Sequence, residues 1–221
     1  HRAASLRMIG CIRIPVCLVD YENPSIVVDT WYRTFSKEKT GNLIEELTRW
    51  NIKTTESSVQ DARKNMKAGT AAALIATREK CLTIENKDGD VRRNFQIVSR
   101  IERTARSLGY EVDYETESDA LRILEQGTAQ LILGPPPITK QDVRRFGMRD
   151  ELLPHKATRH IIPARPLGIN IPIEILRNQG LDLRQANRQL VETLKKRPLE
   201  KLGPGSLIEN RRYEEQVFLF K

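Results

Sequence analysis

The sequence predicts a mixed α/β fold (α+β), and three observations carry that reading. Amphipathic stretches with apolar residues three and four apart alternate with short runs rich in Val, Ile and Leu. The order helix, glycine, strand is written twice, around Gly69 and around Gly127. Glycine and proline punctuate the boundaries, most sharply at Gly134-Pro135-Pro136-Pro137. A chain of 221 residues can bury a real core, as one large domain or two small ones.

Residues 2–9 (RAASLRMI) space Ala, Leu, Met and Ile along one helical face, and Gly10 stands where a left-handed C-cap belongs. Residues 13–21 (RIPVCLVDY) are apolar and β-branched, which predicts a buried strand. Glu22-Asn23-Pro24 turns the chain into a second strand over 26–32, ending in Trp31 and Tyr32. Residues 42–50 read as a short amphipathic helix, with Asn42 as N-cap and Leu43, Ile44 and Leu47 on its apolar face.

A weak repeat follows. Asp61-Ala62, Gly69-Thr70-Ala71 and an apolar strand recur as Asp119-Ala120, Gly127-Thr128-Ala129 and another apolar strand, 58 residues later at the glycines. Either an internal duplication or two helices stopped by the same glycine signal accounts for it. Between the copies come a strand at 81–85, a turn at 87–90, a helix at 91–108 and a half-buried strand at 110–114. The helix carries its stripe on Ile97, Val98, Ile101, Ala105 and Leu108. Thr139 should cap a short helix through Phe146. Past Gly168 the pattern predicts a short strand, a helix closed at Gly180, and a polar helix over 183–197 with Ala186, Leu190 and Leu194 as its seam. The tail reads as irregular until Val217-Phe218-Leu219-Phe220, which needs a groove on the same molecule or another subunit.

Net charge is +8, but 29 acidic residues are interspersed with 37 basic ones, a mixture closer to a basic enzyme than to a nucleic-acid arm. Aromatic content of 5% argues against a stacking surface for single-stranded nucleic acid. No apolar run approaches the roughly 20 residues that span a bilayer, so no membrane partner is expected. Three cysteines without a C-x-x-C spacing indicate neither a disulfide framework nor zinc, and a cytoplasmic location is expected. The chain opens at His1 inside what reads as an element, which suggests a missing N-terminal segment.

Function concentrates in residues 153–166 (LPHKATRHIIPARP), which place Lys156, Thr158, Arg159, His160 and Arg165 within ten positions between prolines. Ile161-Ile162 would anchor the segment. In extended chain Thr158 and His160 share a face opposite Arg159. A hydroxyl, a guanidinium and an imidazole together can grip a carboxylate or phosphate, because arginine forks onto paired oxygens. A solvated basic loop is the alternative.

Residues 1–35 (HRAASLRMIGCIRIPVCLVDYENPSIVVDTWYRTF) resemble the second half of a ParB/sulfiredoxin-like domain, in which an Asp-Gly-His-His-Arg signature opens a helix. Here His1 and Arg2 match its final pair. The chain continues like the free serine kinases of this fold: Thr30-Trp31-Tyr32, two helix–glycine–strand units, and K-x-T-R-H-x-x-P at Lys156, Thr158, Arg159, His160 and Pro163. The resemblance runs to about residue 177. It implies a ParB/sulfiredoxin-like nucleotide-binding domain, its C-terminal half over 1–40, a second α/β substrate lobe over 41–178 and a helical, irregular extension over 179–221.

By the same resemblance His1 and Arg2 hold nucleotide phosphates at a helix start, where free N–H groups favour anions; a frayed terminus is the competing reading. Trp31 packs beside the bound amino acid, or else is ordinary core. Thr158, Arg159 and His160 hold serine, facing the His1–Arg2 pair across one cleft. Lys156 is read as a solvated neighbour, and Tyr32 and Arg165 receive no role. The implied reaction moves a phosphoryl group from ADP or ATP to free L-serine, with Mg2+. The family's acidic base would lie upstream of His1, so these residues alone should catalyse little. The runner-up is a DNA-binding regulator with a helix-turn-helix at 173–197.

Overall fold

The structure, a computed structural model, describes residues 2–36, 43–50, 52–86, 89–209 and 211–221, for Arg2 the backbone alone. The expected cap Asn42 and the turn residues Lys87 and Asp88 lie outside the described residues.

Helix α1 (Arg2–Met8) ends as expected, with Gly10 at φ 81° and the Cys11 amide donating to the Leu6 carbonyl at 2.9 Å. Residues 13–21 are not the buried strand the sequence predicts. They pair with no strand among the described residues, and Val16 and Leu18 are 67% and 90% exposed. An apolar β-branched run specifies a strand only where a neighbouring backbone supplies the ladder. The expected strand over 26–32 is also divided, into β1 (Val27–Asp29) and β2 (Tyr32–Ser36). The Thr30 amide donates to its neighbour's carboxylate, Asp29 Oδ1, at 2.8 Å, which turns the backbone between the two.

There follow α2 (Leu43–Arg49), β3 (Thr54–Ser57), α3 (Val59–Lys67), β4 (Ala71–Ala76), β5 (Cys81–Glu85), α4 (Val91–Ser107), β6 (Glu111–Glu115), α5 (Glu117–Glu125), β7 (Leu131–Gly134) and α6 (Lys140–Met148). Next come β8 (Arg159–Ile161), β9 (Arg165–Leu167), α7 (Ile173–Arg177), α8 (Leu183–Lys195), β10 (Leu199–Leu202), β11 (Leu207–Ile208), β12 (Arg211–Arg212) and β13 (Val217–Phe220). The chain packs as two compact units, Val28–His160 and His1–Val27 with Ile161–Lys221.

The first of these is built on a six-stranded sheet ordered β3-β5-β4-β7-β2-β6, every neighbouring pair antiparallel. Helices α3 and α5 cover one face through Ala62, Met66, Ala120 and Leu124. Helices α2 and α4 cover the other through Leu43, Leu47, Val98, Ile101 and Ala105. Fully burying each of the larger side chains stabilises the unit by roughly 2 kcal/mol. The sheet falls into matching halves, β3-β5-β4 and β6-β2-β7, which meet where β4 runs antiparallel to β7. The repeat seen in sequence is the unit β3–α3–β4 written again as β6–α5–β7. Ser58 caps α3 by accepting from the Asp61 amide at 3.0 Å, and Thr116 caps α5 by accepting from the Asp119 amide at 3.2 Å. The glycines that follow have φ of 76° and 74°. Agreement at sheet, cap and stop favours duplication over a shared stop signal.

In the other unit, α1 and α7 are tied by the Ile12 amide donating to the Leu176 carbonyl and Arg177 Nε to the Ile9 carbonyl, at 3.1 and 2.7 Å. The strand expected just past Gly168 does not form; the strand is β9, immediately before it. The tail finds its groove on the same chain. Strand β13 is the middle of a three-stranded sheet, antiparallel to β10 and parallel to β9. Arg197 holds its end by donating to the Ile169, Phe220 and Lys221 carbonyls at 2.8–3.0 Å. No helix among the described residues is long and apolar enough to cross a membrane.

Candidate functional site

Trp31 and residues 155–160 come together on one side of the six-stranded unit, with β1 and β8 paired as a two-stranded sheet. Arg159 is 5% exposed and its Nη2 lies 2.6 Å from Asp29 Oδ2. Its guanidinium also sits 5.5 Å from the centre of the Trp31 ring. Burial alternates as extended chain requires: Arg159 is inside, Thr158 and His160 half-buried. The anchor is Ala157, buried with Phe95 and Ile138 and flanked by Leu153, rather than the half-buried Ile161 and Ile162.

Lys156 corrects the sequence reading. Its ammonium stands 4.9 Å from the Trp31 ring centre and 5.1 Å from that of Tyr114, where the negative ring faces attract a cation. It is half-buried, so a solvated neighbour does not describe it. Its backbone has φ 57°, a left-handed conformation that is costly for a side chain with a Cβ. Tyr114 meets His155 edge to face at 5.7 Å.

Beneath these groups lies Arg33, fully buried. Its Nη1 donates to the Trp31 carbonyl at 2.6 Å, its Nη2 to the His155 carbonyl at 3.3 Å, and its Nε to Glu102 at 3.2 Å. Burial pulls the Arg33 guanidinium below its ordinary pKa while Glu102 opposes that shift. Glu102 on α4 also accepts from the Tyr114 hydroxyl and lies 3.5 Å from Arg106. Burial first, then Glu102, raises the Tyr114 phenol.

Of the residues named from sequence, Trp31, Thr158, Arg159 and His160 lie in this region. His1 lies outside the described residues, as does the side chain of Arg2, and the expected facing of that pair toward the trio lies outside them too. Tyr32 donates to Glu117, which pairs with Arg63 at 2.5 Å, tying β2 to α5 and α3. Arg165 pairs with the buried Glu215 at 3.0 Å. Sequence reasoning missed Asp29, Arg33, Glu102, Tyr114 and the placement of Lys156. The one available signal was Arg33 itself, a charge set between the aromatic residues Tyr32 and Phe35. As a whole the region presents cationic and hydroxyl donors beside a Trp face, which suits a small anionic or zwitterionic molecule.

No family model matches the chain. It is 27% identical over 180 residues to the ATP-dependent L-serine kinase of Staphylothermus marinus, covering 80% of this chain and 70% of that protein. It is 26% identical over 183 residues to the ADP-dependent L-serine kinase of Thermococcus kodakarensis, with the same coverage. Among solved structures, a free serine kinase in complex with AMP superimposes with a TM-score of 0.58 at 23% identity, over 73% of this chain and 64% of that one. The chain thus spans about two thirds of the length of the solved kinase. SbnI with a C-terminal truncation, from Staphylococcus aureus, gives 0.62 at 19% identity over 87% of this chain and 73% of the other. Both likenesses show the fold.

Proposed function

We propose that the intact protein, a relative of the free L-serine kinases, transfers a phosphoryl group from ADP or ATP to free L-serine, giving O-phospho-L-serine. One observation carries this reading: Trp31 and the segment bearing Thr158, Arg159 and His160 meet around an ion pair whose guanidinium is buried, although some 130 residues separate Asp29 from Arg159. Phosphoryl transfer needs mainly positioning and charge stabilisation, and this cluster is suited to both.

In this reading Trp31 packs against the amino acid, and Thr158 and His160 donate to it. Arg159, held by Asp29, supplies positive potential beside the carboxylate or the moving phosphoryl group. His1 and Arg2 bind nucleotide phosphates at the start of α1, in a ParB/sulfiredoxin-like domain whose C-terminal half is 1–40. Residues 41–178, most of which lie in the unit Val28–His160, are proposed as the substrate lobe and 179–221 as the extension. The base that takes the serine proton is assigned upstream of His1. Mg2+ is expected with the nucleotide. Among the described residues there is no group of three or more His, Cys, Asp or Glu that would cage a metal. The DNA-binding alternative has no support from the relatives described above, and the cytoplasm remains the expected location.

The test is direct: incubate the intact protein with L-serine, Mg2+ and either ADP or ATP, and follow O-phospho-L-serine by mass. Formation of phosphoserine supports the reading. Nucleotide consumption without it, or no reaction with either donor, overturns it.

A further inference from the structure

Trp31 and residues 155–160 reach the candidate site from distant parts of the sequence, and one side chain touches the backbone of both. Arg33 donates to the Trp31 carbonyl at 2.6 Å through Nη1 and to the His155 carbonyl at 3.3 Å through Nη2. Its third donor, Nε, is fixed on Glu102 of α4 at 3.2 Å, and Glu102 in turn accepts from Tyr114, one of the two rings around Lys156. An arginine in a strand that is otherwise core is expensive to bury, and a merely structural ion pair can be replaced by apolar residues without loss. A planar fork reaching two carbonyls from a fixed carboxylate instead sets the distance between the segments that carry those carbonyls.

We infer that Arg33, held by Glu102, is a positioning residue that sets Trp31 against the Lys156–His160 segment, and so fixes the amino-acid half of the site. The inference rests on the proposed serine kinase reading for its kinetic consequence, though not for its geometry. Arg33 is buried, so it acts through Trp31 and residues 155–160 rather than on the reacting atoms. Displacing a substrate by about 1 Å costs a reaction on the order of a hundredfold. The loss should fall on serine and leave the nucleotide alone.

The test uses the intact protein and the variants Arg33→Met and Arg33→Lys. Methionine keeps much of the volume and removes every donor; lysine keeps the charge on a single point that cannot reach all three acceptors. In Arg33→Met, kcat/KM for serine is expected to fall about a hundredfold, with the ADP dissociation constant within about twofold of wild type. Arg33→Lys is expected to lie between. The Arg33→Met effect should shrink in a Trp31→Ala background, because residues that act through one another are not additive. Equal losses for serine and ADP, or full additivity with Trp31→Ala, would overturn the inference.

A second readout stands apart from activity. With Trp50→Phe as background, Trp31 is the single tryptophan, and Arg33→Met should shift its emission to the red as the ring leaves its buried position. Unshifted emission would sink the positioning claim even if the kinase reading held. A red shift in a protein that makes no phosphoserine would instead retain the geometry and remove the reaction.

Discussion

Asp29 and Arg159 form a 2.6 Å ion pair in which the guanidinium is 5% exposed and the carboxylate 46% exposed. The asymmetry matters. Removing one partner of a fully buried pair costs about 3–5 kcal/mol, whereas exposed pairs contribute at most about 1 kcal/mol. Asp29→Asn should therefore lower the unfolding free energy by about 2 kcal/mol, measured by urea denaturation. A cost near zero would show that Trp31 and the core, rather than Asp29, hold Arg159 in place.

Lys156 combines a left-handed backbone with an ammonium between two aromatic faces. Two substitutions separate those contributions. Lys156→Met keeps the backbone strain and discards the cation–π attraction, and should destabilise by about 1 kcal/mol. Lys156→Gly discards both, and relief of the strain, about 1 kcal/mol, should bring it back near wild type. If glycine were the worse of the two in thermal unfolding, the strain would be absent in solution.

Glu115 ends β6, where burial, then Asp119 and Asp113, push its carboxyl pKa above the ordinary value. A folded-state pKa above the unfolded one means that the native state holds the extra proton. Stability is then greatest below the ordinary glutamate value and falls as pH rises through the raised one. Glu115→Gln should stabilise the protein at neutral pH and lose that advantage in acid, as read from melting temperatures across pH. An advantage that grew on acidification would reverse the sign and refute the assignment.

The C-terminal strand makes a separate claim. Arg197 donates to the Phe220 and Lys221 carbonyls at the end of β13 and to the Ile169 carbonyl just past β9, and Gly168, at φ 66°, lies so close to the Phe220 carbonyl that a Cβ would meet it at 2.4 Å. Arg197→Ala and Gly168→Ala should each cost about 2 kcal/mol. Hydrogen exchange should speed up across residues 199–202 and 217–220 and stay unchanged in the six-stranded unit. Loss of protection throughout both units would mean that they unfold as one.

Much of this architecture was written locally. The cap at Gly10, the glycines at 69 and 127, and the amphipathic stripe of α4 are short-range signals, and each appears where the periodicity places it. What escaped depends on partners distant in sequence. Residues 13–21 carry the apolar, β-branched run of a strand, interrupted by Pro15, yet pairing is a property of two segments. The apolar tail needs a partner, but nothing near it in the chain points to β9. In the site, Thr158, Arg159 and His160 were legible as a run of donors. Their setting was not, because Asp29 reaches Arg159, and Arg33 and Tyr114 reach the neighbouring His155, only through the fold. Lys156 is not legible locally because a charged side chain with a long apolar stem can lie along ring faces as readily as in water.

The most direct measurement is serine-dependent product formation by the intact wild-type protein compared with Arg159→Ala, followed by mass under saturating Mg2+ and nucleotide. The account expects O-phospho-L-serine from the wild type, and at least about a hundredfold less from the variant, as when a preorganised charge is removed from a transition state. Undiminished phosphoserine from Arg159→Ala, or none from the wild type with either ADP or ATP, would contradict it.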